Sequence, residues 1–286
     1  MASAHGYEYG VLGTVVVGVD GSRESLAALE WAATAADDRH EPLRIVHVGE
    51  EGSRDVLLEA ETIARAAGST GDVTTHLIRG EPGHVLVDES KRAGLVVVAS
   101  HGHSRMHDTF ASSCAMFTAM HAHGPVVVIR PEQPPTGDSM RDAVGRVLVG
   151  VDGTPVSTEV IAFAFAEAER LGVGVTALHT WIQPVASGHD ALVPLATDIE
   201  ALQRENEAIL SESLASAIAD HPDLDVRQVT LQNVPGAAII EMSLGARLVV
   251  IGSRGRGPVA GLLLGSTSQA VLHHAGCPVV IIHGAG

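Results

Sequence analysis

The run Thr14-Val15-Val16-Val17-Gly18-Val19-Asp20-Gly21-Ser22 returns 132 positions later as Arg146-Val147-Leu148-Val149-Gly150-Val151-Asp152-Gly153-Thr154. Two more echoes are spaced by 153 positions: Glu81-Pro82-Gly83 with Val234-Pro235-Gly236, and Pro125-Val126-Val127-Val128-Ile129 with Pro278-Val279-Val280-Ile281-Ile282. Doubling of this kind points a chain of 286 residues to two like domains of ordinary size. We assign them to residues 11–131 and 144–284, joined near Pro131-Glu132-Gln133-Pro134-Pro135-Thr136-Gly137, which has the composition of a linker. The spacing grows by 21 along the chain, so the second copy carries one insertion. Pro184, Gly188 and Pro194 signal an added loop between Trp181 and about Ala201.

Within a copy, short β-branched runs alternate with amphipathic helical runs, the pattern of a parallel sheet with helices on both faces. In the first copy the strands are expected near Thr14–Val19, Leu43–Val48, Val73–Ile78, Leu95–Ala99 and Val126–Ile129. Ser22 and Thr154 stand where helix N-caps are wanted, ahead of Leu26 and Ile161. Asp20-Gly21 and Asp152-Gly153 follow the first strand of each copy, and Asp-Gly is also simply good turn chemistry.

The apolar run Leu248-Val249-Val250-Ile251 leads into Gly252-Ser253-Arg254-Gly255, and Gly265-Ser266-Thr267-Ser268 then opens a short helical run to Ala275. Glycine lets the backbone approach a ligand closely, and the free N–H groups and dipole of a helix start attract anions. A strand, a glycine loop and a helix start in this order suit a polyphosphate. No lysine follows the last glycine, so this is not a Walker A loop, and neutral donors with Arg254 or Arg256 must carry the binding.

Charge narrows the function. With 34 acidic and 18 basic residues the net charge is −16, which argues against nucleic acid and anionic membrane as partners. Cys114 and Cys277 form no metal-ligand spacing and fit a reducing, cytoplasmic setting. Met1–Gly10 reads as a short leader without a signal sequence, and no apolar run approaches the length of a membrane helix. Sixteen histidines, among them His101, His103, His107, His121 and His123, raise a metal hypothesis, but no HExxH or zinc-finger spacing appears and we expect none. Nothing resembles a nucleophile elbow or a paired acid and base, so no catalytic residue is assigned.

Both copies resemble universal stress protein domains, and the chain from Thr14 to His283 resembles the tandem, ATP-binding universal stress proteins of actinobacteria. The resemblance rests on Val-Gly-Val-Asp-Gly-[ST] at the start, on the closing Cys-Pro-Val-Val-Ile-Ile, and on the nucleotide motif G-x2-G-x9-G-[ST] at Gly252, Gly255, Gly265 and Ser266. It implies two flavodoxin-like α/β domains, each a five-stranded parallel sheet of order 3-2-1-4-5. It also implies ATP as ligand, with Mg2+ as a candidate companion, and weak hydrolysis or none. In that order the switch point lies between strands 1 and 4, beside Asp152 and Gly252. The phosphates are then expected on Gly252, Gly255, Gly265, Ser266 and Thr267, aided by Arg254, with adenosine towards Asp152-Gly153. By resemblance the backbone near Thr180 contacts adenine.

The first copy departs from the motif. Ala99 replaces the first glycine, Gly102 keeps the second, and Ser112-Ser113 replaces Gly-Ser. A methyl at Ala99 and a side chain at Ser112 would crowd phosphate oxygens or resist a positive φ. Asp20, Gly102 and Ser113 survive, so a weakened first site is expected. The best functional reading is a nucleotide-dependent regulator of stress response or growth that acts through partner proteins. A slow ATPase, and a structural protein that ATP merely stabilises, are the alternatives. Val126–Ile129 and Val279–Ile282 are expected as apolar sheet edges that hide each other by pairing, as in the dimers of the family, while a further homodimer stays open.

Overall fold

Runs such as Val15-Val16-Val17 have no polar face, and in the computed structural model they are strands buried on both sides. The structure describes residues 13–69, 71–100, 113–131, 133–134, 142–183, 198–255 and 264–284. The leader, most of the linker, and the loop carrying Pro184, Gly188 and Pro194 lie outside these residues.

The chain divides into two units, residues 1–130 with 278–283, and residues 131–277 with 284–286. The first holds β1 (Thr14–Val19), α1 (Arg23–Arg39), β2 (Leu43–Val48), α2 (Arg54–Ala66), β3 (Val73–Ile78), α3 (Pro82–Ser90), β4 (Ala93–Ala99), α4 (Ser113–His121) and β5 (Val126–Ile129). The second holds β6 (Val147–Gly150), α5 (Val156–Leu171), β7 (Val175–Trp181), α6 (Ile199–Asp220), β8 (Val226–Gln232), α7 (Pro235–Met242), β9 (Leu248–Gly252) and α8 (Ser266–His274). The last strand, β10 (Val279–Ile282), groups with the first unit, where Val280 pairs antiparallel with Val127.

In the first unit the strands lie in the order β3-β2-β1-β4-β5-β10, and all but the last pair are parallel. In the second the order is β9-β6-β7-β8, all parallel. Helices α1 and α2 pack together, as do α3 and α4, and the second unit repeats this with α5 against α6 and α7 against α8. Each unit is therefore an α/β layer fold with its core between strands and helices. β1 and β6 are central and almost wholly apolar, whereas β8 is an end strand and carries Arg227, Gln228 and Gln232.

The insertion in the second copy is partly helix. α6 has 22 residues against 13 in α2, so added residues lengthen the helix as well as the loop before it.

The two copies end their first helix in the same way with different residues. Gly172 caps α5 at φ 64°, and His40 caps α1 at φ 55°, each donating its N–H back to the last turn. A left-handed backbone is free of strain for glycine and unfavourable for histidine. His40→Gly should therefore raise stability by roughly 0.5–1 kcal/mol, seen as a higher urea midpoint with an unchanged slope.

Candidate functional site

Val149 of β6 pairs with Val250 of β9, so the residues that follow these strands emerge side by side. Past β6 the chain turns at Gly153, whose φ of 71° calls for glycine, and Gly21 does the same in the first copy at φ 80°. Within the turn Asp152 Oδ1 accepts three hydrogen bonds: Thr154 N at 3.0 Å, Thr154 Oγ1 at 2.7 Å and Ser157 Oγ at 2.7 Å. All three fall on one oxygen, which locks the carboxylate. The other oxygen, Oδ2, faces Gly255, where an added Cβ would come within 2.9 Å of it.

The N-cap expectation holds for one copy only. Ser22 caps α1 by accepting from Ser25 N at 3.1 Å. Thr154 gives its hydroxyl to Asp152, as Ser22 does to Asp20, but α5 begins one residue later, after Pro155, and has no side-chain cap.

Past β9 the two ends of the glycine loop are held together. Gly265 N donates to Ser253 O at 2.8 Å, and Ser268 Oγ donates to Gly252 O at 2.8 Å. Gly265 is the N-cap of α8 and has no side chain to satisfy the N–H groups of the first turn. Those donors, at the positive end of the helix, point where an anion is favoured.

The three motif glycines have different reasons to be glycine. A Cβ at Gly252 would lie 3.1 Å from Arg254 O, and one at Gly255 would strike Asp152 Oδ2. Among the described residues a Cβ at Gly265 would meet nothing closer than 3.7 Å, so they leave room for it. None of the three adopts a left-handed φ, so close approach and not backbone strain is what glycine supplies here.

These elements enclose a cavity of about 330 Å3. It brings Asp152, Thr180, Gly252 and Arg254 together with Gly255, Gly265, Ser266 and Thr267. Gly153 serves the turn and is not part of the lining. Val156, Leu178, Ile239, Ile251 and Leu264 add apolar surface to this lining, so the cavity combines room for a flat ring with donors suited to an anion. Arg254 is exposed, and Arg256 lies outside the described residues.

The first copy keeps the turn and changes the helix. Asp20 Oδ1 accepts Ser22 N at 2.9 Å and Ser22 Oγ at 2.6 Å. Gly102, Ser112, Arg105, Met106 and the histidines 101, 103 and 107 lie outside the described residues, and Ser113 opens α4. Helices α4 and α8 start and end 153 positions apart, so Cys114 stands where α8 has Thr267, and Ala115 where it has Ser268. Burial pushes the Cys114 thiol up to about 11 against a weaker opposing hydrogen bond with Thr118, so it is neutral at physiological pH. His121 donates to Phe117 O at 2.8 Å and stacks on the Phe117 ring, which makes it a packing residue. No group of three or more potential ligands that could hold a metal occurs among the described residues. Among them, too, no helix is long and apolar enough to cross a membrane.

One functional pair was not singled out from the sequence. His179 is 2% exposed, lines the cavity, and donates Nδ1–H to Val151 O at 2.7 Å while Nε2 lies 3.0 Å from Asn206 Oδ1. His47 repeats the bond to Val19 O at 2.7 Å. Each imidazole grips the carbonyl just before the aspartate of its copy and so fixes the end of the first strand. The signal was present, since His47 and His179 are 132 positions apart, the same spacing as Asp20 and Asp152.

Two measurements check this geometry. His179→Leu leaves the Val151 carbonyl and the Asn206 amide without their imidazole partner and should destabilise by about 1–3 kcal/mol in urea unfolding. Cys114 should resist alkylation at pH 7 in the folded protein and react faster as pH rises towards about 11.

The universal stress protein family model matches residues 12–130 and 143–283. A universal stress protein of Mycobacterium tuberculosis is 35% identical over 290 residues, covering 93% of this chain and 96% of the relative. Another, from Mycolicibacterium smegmatis, is 33% identical over 298 residues, covering 96% of this chain and 97% of the relative. The crystal structure of a putative universal stress protein from Pseudomonas aeruginosa shares the fold at a TM-score of 0.68, with 17% identity over 96% of this chain and 94% of that one. With two matched segments spanning most of its length, the chain belongs to the universal stress protein family.

Proposed function

We propose that the chain binds ATP in its second half and acts as a nucleotide-dependent regulator of stress response or growth through partner proteins. The observation that carries this reading is the space at Gly265. It lies in a cavity lined by polar and apolar groups, at an uncapped helix start, and among the described residues faces no atom that demands a glycine. A ligand whose oxygens approach the backbone there gives the missing side chain a purpose. In this reading the phosphates lie on Gly252, Gly255, Gly265, Ser266 and Thr267 with Arg254 nearby, and the adenine lies along the apolar surface towards Thr180. Asp152 Oδ2 is the carboxylate oxygen suited to the ribose side or to a Mg2+ that accompanies the phosphates.

The first half is proposed as the weaker site. It has Ala99 for Gly252, and its helix start carries Cys114 and Ala115 for Thr267 and Ser268. We also propose that the halves of the repeat are joined by pairing of Val126–Ile129 with Val279–Ile282, which the antiparallel register of these strands supports. A reducing compartment, the cytoplasm, suits two cysteines, Cys114 and Cys277, that form no disulfide with each other.

Native mass spectrometry of the full chain should find one tightly held ATP, and incubation should release little ADP, which separates a binder from an ATPase. Gly265→Ala should leave the urea midpoint unchanged and weaken ATP by about ten- to a hundredfold in calorimetric titration, the loss of one or two hydrogen bonds to a charged group. Unaltered ATP affinity in that variant, or two equally tight ATP molecules per chain, would contradict the assignment.

A further inference from the structure

We infer that Ser268 is a positioning residue for the phosphate end of this site, and that it sets the preference for a phosphorylated over an unphosphorylated ligand. The inference rests on the nucleotide reading above and concerns a residue outside the glycine motif. Ser268 is 3% exposed, and its hydroxyl reaches back across the loop to Gly252 O at 2.8 Å, with Ser253 O at 3.4 Å. The partners are 16 and 15 residues earlier in the chain, so this is a tertiary link between the end of β9 and the first turn of α8. One further bond spans the same gap, from Gly265 N to Ser253 O at 2.8 Å. Two bonds fix a direction more firmly than one does.

The direction matters because the helix binds an anion through N–H groups that all point one way. Loss of the hydroxyl link leaves the first turn of α8 held to the end of β9 by the Gly265 N bond and by packing on α7, a looser hold in which its donors meet the phosphates less well. Adenosine has no phosphates and would rest on the apolar surface and on Asp152, whose carboxylate is locked by Thr154 and Ser157. The link therefore acts on one end of the ligand only. In the first copy Ala115 stands at the equivalent position and supplies no hydroxyl, so the two helix starts are held differently even apart from the missing glycines.

The test titrates the full chain and its Ser268→Ala and Ser268→Thr variants with ATP and with adenosine, after circular dichroism and urea unfolding have established that each is folded. Ser268→Ala should weaken ATP by about tenfold and adenosine by less than about twofold, the scale expected for one hydrogen bond. Ser268→Thr keeps a hydroxyl and should restore most of the ATP affinity. Equal losses for ATP and adenosine, or no loss of ATP affinity, would overturn the inference while leaving the nucleotide site in place. Should Ser268→Ala fail to fold, Ser268→Cys, close in size but only a weak S–H donor, takes its place: a reduced ratio of ATP to adenosine affinity supports the inference and an unchanged ratio contradicts it. Wild-type protein that takes up no ATP would overturn the nucleotide reading itself, and the role of Ser268 with it.

Discussion

Parallel pairing of β6 with β9 is the constraint on which the rest of the second unit depends. The strands are separated by about a hundred residues of sequence, yet Val147, Leu148 and Val149 align with Leu248, Val249 and Val250. All six residues are buried, so the apolar side chains on both faces fix the register. β7 and β8 lie beyond β6, and the chain leaving β6 turns away from the chain leaving β9. The gap between those two departures is where a cavity can form without removing anything from the core.

The aspartate at the edge of that gap divides its two oxygens between the turn and the cavity. Turn formation uses Oδ1 of Asp152, held by a backbone N–H and two hydroxyls, and leaves Oδ2 directed at the glycine loop. Three donors on one oxygen offset the desolvation of a half-buried carboxylate and remove its freedom to rotate. His179 completes the support from below by holding the carbonyl of the preceding residue. The carboxylate is therefore already oriented, and a ligand reaching it would leave little ordering to do on binding.

Most of the fold was legible because it follows from local pattern. β1, β2, β3 and β5 have the ends that their β-branched runs suggest, and the Asp-Gly turns adopt the left-handed glycine that such turns need. β4 begins two residues earlier than its apolar run, at Ala93-Gly94, because Gly94 lies backbone to backbone against Gly13 and pairing extends to Thr14. A contact between segments this far apart leaves no local trace. Thr154 does not cap because α5 starts only after Pro155, and Ser268 looks like any first-turn serine until its partner across the loop is known. In the site, glycine spacing was readable, but the reason behind each glycine was not. Gly255 answers to a carboxylate from another strand, and Gly252 to a carbonyl two residues on.

The open space around Gly265 has a consequence for how such a chain can change. Among the described residues a methyl there touches nothing nearer than 3.7 Å, so their packing exerts little selection at a position where a ligand would exert a great deal. A methyl substitution at this site is therefore expected to change the stability of the free protein little. A duplicated copy can thus drift out of the ligand-binding trade while remaining as well folded as its sibling, and the wear would be invisible to any assay that reads stability alone.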